Sequence, residues 1–157
     1  MATFRVIGSF KSLARIAGVA VICASIGACQ TAGEAGPTAS TDKAELSEAA
    51  ANSIAGDMVS RLAELVGPAT GTVVLKANSS PFSKALLSAL KRWGYAVATP
   101  DQKADSSKLI QLAYVVDSFE GSVLVRLSTP RFDLGRGYTV TGTGAVPSSP
   151  LSILRRN

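Results

Sequence analysis

The stretch Thr72-Val73-Val74-Leu75, followed by Asn78-Ser79-Ser80-Pro81, by Phe82 to Trp93 and Gly94, and by Tyr95-Ala96-Val97-Ala98, decides the fold. Its first four residues are rich in β-branched side chains, which predicts a short strand. Ser80 offers a hydroxyl to the free amides of a helix start, and Pro81 suits the first helical position because its missing N–H would go unpaired there. Phe82, Leu86, Leu90 and Trp93, with Ala85 and Ala89 beside them, form one apolar stripe at helical spacing, while Lys91 and Arg92 fall off it. Gly94 ends the helix, and Tyr95 to Ala98 predicts a second strand. Strand, helix and strand in this order make a β-α-β unit with a right-handed crossover.

The pattern extends in both directions. From Lys43 to Val66 the apolar residues Ile54, Met58, Leu62 and Leu65, with Ala50 and Ala51 before them, recur every three or four positions and predict an amphipathic helix stopped by Gly67-Pro68. Residues 99–107 are a polar loop. Leu109 to Val116 is apolar on both faces, since Ile110, Leu112, Tyr114 and Val116 alternate with Leu109, Gln111, Ala113 and Val115, and this predicts a central strand. Asp117 to Gly121 reads as a hairpin turn with Ser122 to Leu127 as the partner strand. Gly137 to Val146 supplies a last strand whose glycines at 142 and 144 predict a bend or bulge. The expected fold is α/β (α+β), a two-layer sandwich with one small mixed sheet and helices on one face, in a single domain over residues 43–146. Residues 147–157 are expected to be a loose tail, with Leu151, Ile153 and Leu154 available to a neighbour and Arg155-Arg156 solvated.

A chain of 157 residues allows one folded domain plus short extensions, and its 46% hydrophobic and 17% charged content suffices for a core. Histidine is absent and there are two cysteines, so Ser-His-Asp and Cys-His nucleophiles, histidine metal sites and cysteine-rich zinc sites cannot be built. The net charge of +5 suggests an anionic partner only if it belongs to the folded part. Residues 1–28 carry Arg5, Lys11 and Arg15 and no acid, which leaves 13 basic against 11 acidic side chains, a balance of +2, in the remainder.

Those first 28 residues look like a targeting signal. Met1 to Ser12 is a positively charged start, and Ile16 to Ile26 is an uncharged run of 11 residues, shorter than the roughly 20 apolar residues that a membrane-spanning helix needs. Ile26-Gly27-Ala28-Cys29 is a branched aliphatic, two small residues and a cysteine directly after the apolar run, and it resembles a bacterial lipobox. That resemblance implies recognition of Ile26, Gly27 and Ala28 by a signal peptidase, cleavage before Cys29, and a diacylglycerol on the Cys29 thiol. No cofactor is expected beyond these acyl chains. An ordinary secretory signal with an incidental cysteine, and an uncleaved anchor, are the alternatives. Cys23 lies inside the apolar run, so with Cys29 acylated no disulfide can form. Gln30, and not aspartate, follows the cysteine, which by the same resemblance implies the outer membrane, facing the periplasm. Residues 29–42 then read as the acylated cysteine and a flexible linker; its last 13 residues, 30–42, are small and polar with a root-mean-square reach of roughly 20 Å.

Several stretches imitate sites. Gly135-Arg136-Gly137 and Gly142-Thr143-Gly144 are glycine-rich, but neither sits between a strand and a helix as a phosphate cradle requires, so both read as turns or bulges. Asp101 with Asp105, and Asp117 with Glu120, are carboxylate pairs in polar loops without the further oxygen ligands of a calcium site. Lys91, Arg92 and Trp93 place cations beside an aromatic, as single-stranded nucleic-acid sites do, but the stripe assigns Trp93 to the core. Ser83 and Lys84 are neighbours of the kind a Ser-Lys site needs, but they point to different sides of one helix. Asn78-Ser79-Ser80 matches a glycosylation acceptor and is read as a turn. No catalytic, metal or ligand-binding residue is expected.

The lipobox over Ile26–Cys29, the polar linker, the following helix, and Phe82-Ser83-Lys84-Ala85-Leu86 leading through Ala89-Leu90 to Gly94-Tyr95-Ala96-Val97 together resemble the TrbH conjugal transfer proteins. The resemblance implies a non-catalytic lipoprotein of a plasmid mating apparatus, a type IV secretion system, held to the outer membrane by its lipid. It implies partners among the other conjugation proteins, with a homo-oligomer or ring as a further possibility. Direct nucleic-acid contact is not expected from a balance of +2. The alternative is a stand-alone periplasmic lipoprotein that binds a small ligand or an envelope component.

Overall fold

Ser80 begins the central helix as its chemistry requires: its Oγ accepts from the Ser83 amide at 3.1 Å, with Pro81 in the first turn. The computed structural model describes residues 39–102 and 108–156. In chain order it contains β1 (Thr41–Asp42), α1 (Glu48–Val66), β2 (Thr72–Leu75), α2 (Pro81–Arg92), β3 (Ala96–Ala98), β4 (Leu109–Phe119), β5 (Ser122–Ser128), β6 (Phe132–Thr141), β7 (Gly144–Pro147) and β8 (Ser152–Arg155). Ser47 caps α1 in the same way, accepting from the Ala50 amide at 3.2 Å.

The sheet order is β3-β2-β4-β5-β6-β7, with β1 also on β4 and β8 also on β6. β3, β2, β4 and β1 are parallel neighbours, whereas β4 through β7 and β8 pair antiparallel. The expected mixed two-layer fold with its β-α-β unit is therefore present. One core joins both helices to one sheet face: Ile54, Met58 and Leu62 of α1 and Phe82, Leu86 and Leu90 of α2 meet Tyr114, Leu127, Leu134 and Tyr138. The strand period of two turns the alternate residues to the other face, which no helix among the described residues covers and where Leu124 and Leu154 are exposed. β2, β3, β4 and β6 all start at the end of the sheet where α1 and α2 finish, here termed the lower end, and the β4–β5 turn lies at the upper end.

The structure corrects several expectations. The last strand is not Gly137–Val146 but two strands, β6 and β7, joined by a turn at Gly142-Thr143. Gly135-Arg136-Gly137 is not a turn, because it lies inside β6. The terminal segment is not loose: β8 pairs with Phe132–Gly135 along the edge of β6 that β7 shares further up. Between them Ser149 accepts the Gly137 amide at 2.8 Å, and the Ser148 amide donates to the Gly137 carbonyl at 2.9 Å. Finally, Trp93 is 38% exposed, because α2 ends at Arg92 and the positive φ of Gly94 (83°) reverses the chain before the stripe is completed. At the amino-terminal side, Thr41 and Asp42, counted with the linker, pair in parallel with Val115 and Val116. The β4–β5 hairpin is also tighter than expected, with β4 reaching Phe119 and only Glu120 and Gly121, both at positive φ (48° and 77°), making the turn.

The parallel half is closely stacked where β2 and β4 begin. A Cβ at Gly71 would lie 2.5 Å from the Lys108 carbonyl oxygen, so Gly71→Ala must push one strand start away from the other. We expect a loss of about 1–3 kcal/mol, read as a lower urea midpoint with an unchanged slope.

Candidate functional site

A cluster of charges binds the helix layer to the sheet. Asp57 lies on the inward side of α1, and Arg136 and Tyr138, two apart on β6, both face it. Arg136 Nη1 donates to Asp57 Oδ2 at 2.9 Å and to Oδ1 at 3.2 Å, and the Tyr138 hydroxyl donates to Oδ2 at 2.6 Å. Arg136 Nε donates to the Ser149 carbonyl at 3.1 Å, so the same guanidinium holds the segment that leads into β8. Arg61 stands 3.9 Å from the Asp57 carboxylate and pairs with Glu64 at 2.7 Å. Burial, and then the hydrogen bond to Asp57, push the Tyr138 hydroxyl pKa far above the ordinary tyrosine value. Burial also raises that of Tyr95, whose hydroxyl donates to the Gly67 carbonyl at 2.6 Å.

This cluster has the chemistry of a clamp. Both Asp57 oxygens are engaged by Arg136 and one of them also by Tyr138, which ties α1 to β6. Sequence reading missed it because Arg136 sits between two glycines. The signal was the alternation Phe132, Leu134, Arg136, Tyr138, which places all four on one strand face.

Among the described residues the Ser83-Lys84 neighbours do not form a site. Ser83 is buried and accepts the Asn78 amide at 3.0 Å, while Lys84 is exposed, so they form no Ser-Lys pair. Asp117 accepts the Ser118 amide at 3.0 Å. Asp105 lies outside the described residues, as do Ile26, Gly27, Ala28 and Cys29. Among the described residues no three acidic or cysteine side chains come together as metal ligands, and no helix is long and apolar enough to cross a membrane. The Asp42 carboxylate is buried without a hydrogen-bond partner among the described residues. Asp42 lines a cleft with Ser80 and Pro81 at the start of α2, where the helix dipole favours a negative charge.

The lower end carries a different feature. A cleft of about 470 Å³ has Leu65, Val66, Ile110 and Phe132 among its walls and Lys108 and Arg131 at its rim. A second cleft of about 210 Å³ also meets Leu65, Val66, Arg131 and Phe132 and adds Arg155 and Arg156. Arg156 is occupied, since it pairs with Asp133 at 2.8 Å.

The family described as conjugal transfer protein TrbH matches residues 32–157. A probable conjugal transfer protein TrbH of Sinorhizobium fredii (strain NBRC 101917 / NGR234) is 50% identical over 141 residues, covering 87% of this chain and 95% of that protein. No solved structure matches the chain.

Proposed function

This chain belongs to the TrbH family of conjugal transfer proteins and has a role in conjugation, and on that premise we propose that it is a lipid-anchored, non-catalytic assembly component of the mating apparatus at the outer membrane. The observation that carries the finer part is the Ile26-Gly27-Ala28-Cys29 junction directly after an 11-residue uncharged run. Acylation of Cys29 fixes the chain in the periplasmic leaflet, and residues 30–38 lead from the lipid to the start of the described fold at residue 39. Each buried methylene contributes about 0.8 kcal/mol, so two or three acyl chains hold where a single chain is marginal. The domain then offers its clefts, its sheet edges and its uncovered sheet face to the other proteins of the apparatus. A clamp of saturated charges suits a component that must stay rigid while it is gripped.

The test is a mating assay with Cys29→Ser in place of the wild type, with fractionation of both forms and recovery of a tagged wild-type protein. Plasmid transfer should drop sharply, the mutant should leave the outer-membrane fraction, and the tagged protein should bring other conjugation proteins with it. Unchanged transfer and location would overturn the lipid-anchored assignment and favour a stand-alone periplasmic protein.

A further inference from the structure

We infer that this protein assembles head to tail with copies of itself, the β4–β5 hairpin tip of one copy seating in the cation-rimmed cleft at the lower end of the next. The tip is Asp117 to Gly121, and it holds two carboxylates and no cation. Phe119 beside the turn is 58% exposed, a large aromatic carried out at the end of the sheet. Neither Asp117 nor Glu120 takes part in an ion pair among the described residues, and neither do Lys108, Arg131 or Arg155 across the molecule. The cleft offers what the tip lacks. Its walls include Leu65, Val66 and Phe132, and at about 470 Å³ it falls within the size range of sites that enclose a ring-sized group.

The tip cannot fill the cleft of its own chain. β4 alone is 11 residues long, about 35 Å at roughly 3.3 Å per residue, and the tip and cleft lie at its opposite ends. Two different surfaces at opposite ends make a heterologous contact, which repeats until it closes into a ring or continues as a filament. An aromatic anchor in an apolar pocket supplies the central contact, and the charges around it select the partner and steer its approach. Because the charged rim is exposed, the contact should weaken as salt shortens the Debye length from about 10 Å at 0.1 M to about 3 Å at 1 M. This inference does not depend on Cys29 acylation, so each can fail without the other.

The test places a photoreactive benzoylphenylalanine at position 119 of the full chain, expressed in cells. Irradiation should give adducts at twice the chain mass and above, mapping to residues 65–66 and 131–132 of a second copy. Arg131→Glu with Arg155→Glu, made in the chain carrying the probe, should abolish the homo-adducts, and Asp117→Lys with Glu120→Lys should do the same. Co-expression of the two reversed chains, with the probe in the lysine variant, should restore the adduct, and this restoration also shows that both variants are folded. Adducts only to other proteins, only to lipid or not at all with the wild-type charges, or failure of the mixed pair to restore them, would overturn the inference.

Discussion

Asp57→Ala is expected to lower the unfolding free energy by about 2–3 kcal/mol, and the transition midpoint by roughly 10 °C. Removing one partner of a fully buried ion pair costs about 3–5 kcal/mol. The lower figure applies because the Asp57 and Arg136 side chains retain 22% and 17% exposure and water can take over part of the lost pairing. Arg136 would remain inside the fold with its carboxylate gone, and the Tyr138 hydroxyl, in a residue with no exposed surface, would lose its acceptor. Asp57→Asn keeps a neutral acceptor at the same place and should cost less, which separates charge from shape. The damage should be directional. Arg136 also grips the Ser149 carbonyl, so amide exchange should rise first in β8 and the segment before it, ahead of the core strands. The same cluster sets an alkaline limit. The Tyr138 pKa is raised in the folded state, so the unfolded chain releases that proton first, near the ordinary value of 10.0. The stabilisation is therefore complete below about pH 10 and is lost progressively as pH rises above it. Tyr138→Phe should flatten this alkaline decline while losing about 1.5–3 kcal/mol at neutral pH, the cost of a hydrogen bond to a charged acceptor.

What could be read from the sequence was what neighbouring residues decide between themselves. The strand at Thr72–Leu75, the cap at Ser80-Pro81, and the apolar faces formed by Ile54, Met58 and Leu62 and by Phe82, Leu86 and Leu90 are local, and the structure has each where the sequence predicts it, although the first helix begins at Glu48 and not at Lys43. Gly135-Arg136-Gly137 reads locally as a turn because glycine inside a strand is unfavourable, whereas it lies within β6. Its reason is tertiary: a Cβ at Gly137 would lie 3.3 Å from the Ser148 hydroxyl and 3.4 Å from that of Ser149, and these residues lead into β8. β8 itself is exposed along all four residues, so it carries no alternation, and only its pairing with β6 creates it. Trp93 continued the stripe of α2 in register, but the helix stops one residue earlier, and periodicity does not reveal that. The clamp joins residues 79 and 81 positions apart, and the lower cleft draws its cations from separate segments around residues 108 and 131. No spacing rule connects such positions. The Ile26–Cys29 stretch lies at the other extreme: it resembles a lipobox as a short contiguous motif, and it falls outside the described residues.

Phe82→Ala should produce the largest loss of stability of any change considered, about 3–5 kcal/mol, against a total of roughly 5–15 kcal/mol for a domain of this kind. Phe82 has no exposed surface, and its ring meets that of Tyr114 edge to face, with centroids 5.2 Å apart and planes at 64°. It occupies the second position of α2, one residue beyond Pro81 and two beyond the Ser80 cap, so its contact fixes where the crossover helix enters the core. Deletion leaves a void beside a tyrosine whose own hydroxyl is buried without a partner among the described residues, and a collapsed wall there gains no compensating hydrogen bond. Phe82→Leu refills most of the volume and should cost about 1.5 kcal/mol or less, so the difference between the two variants isolates packing from chemistry. Urea unfolding of the two proteins measures it directly. In cells the two failures should also differ in kind from that of Cys29→Ser. Phe82→Ala should reduce plasmid transfer in step with the amount of protein that survives proteolysis, since a change of this size greatly enlarges the unfolded fraction. Cys29→Ser should leave the fold intact and change where it resides. An immunoblot of total and membrane fractions beside the mating frequency separates them, because loss of transfer at normal abundance and normal location would fit neither account.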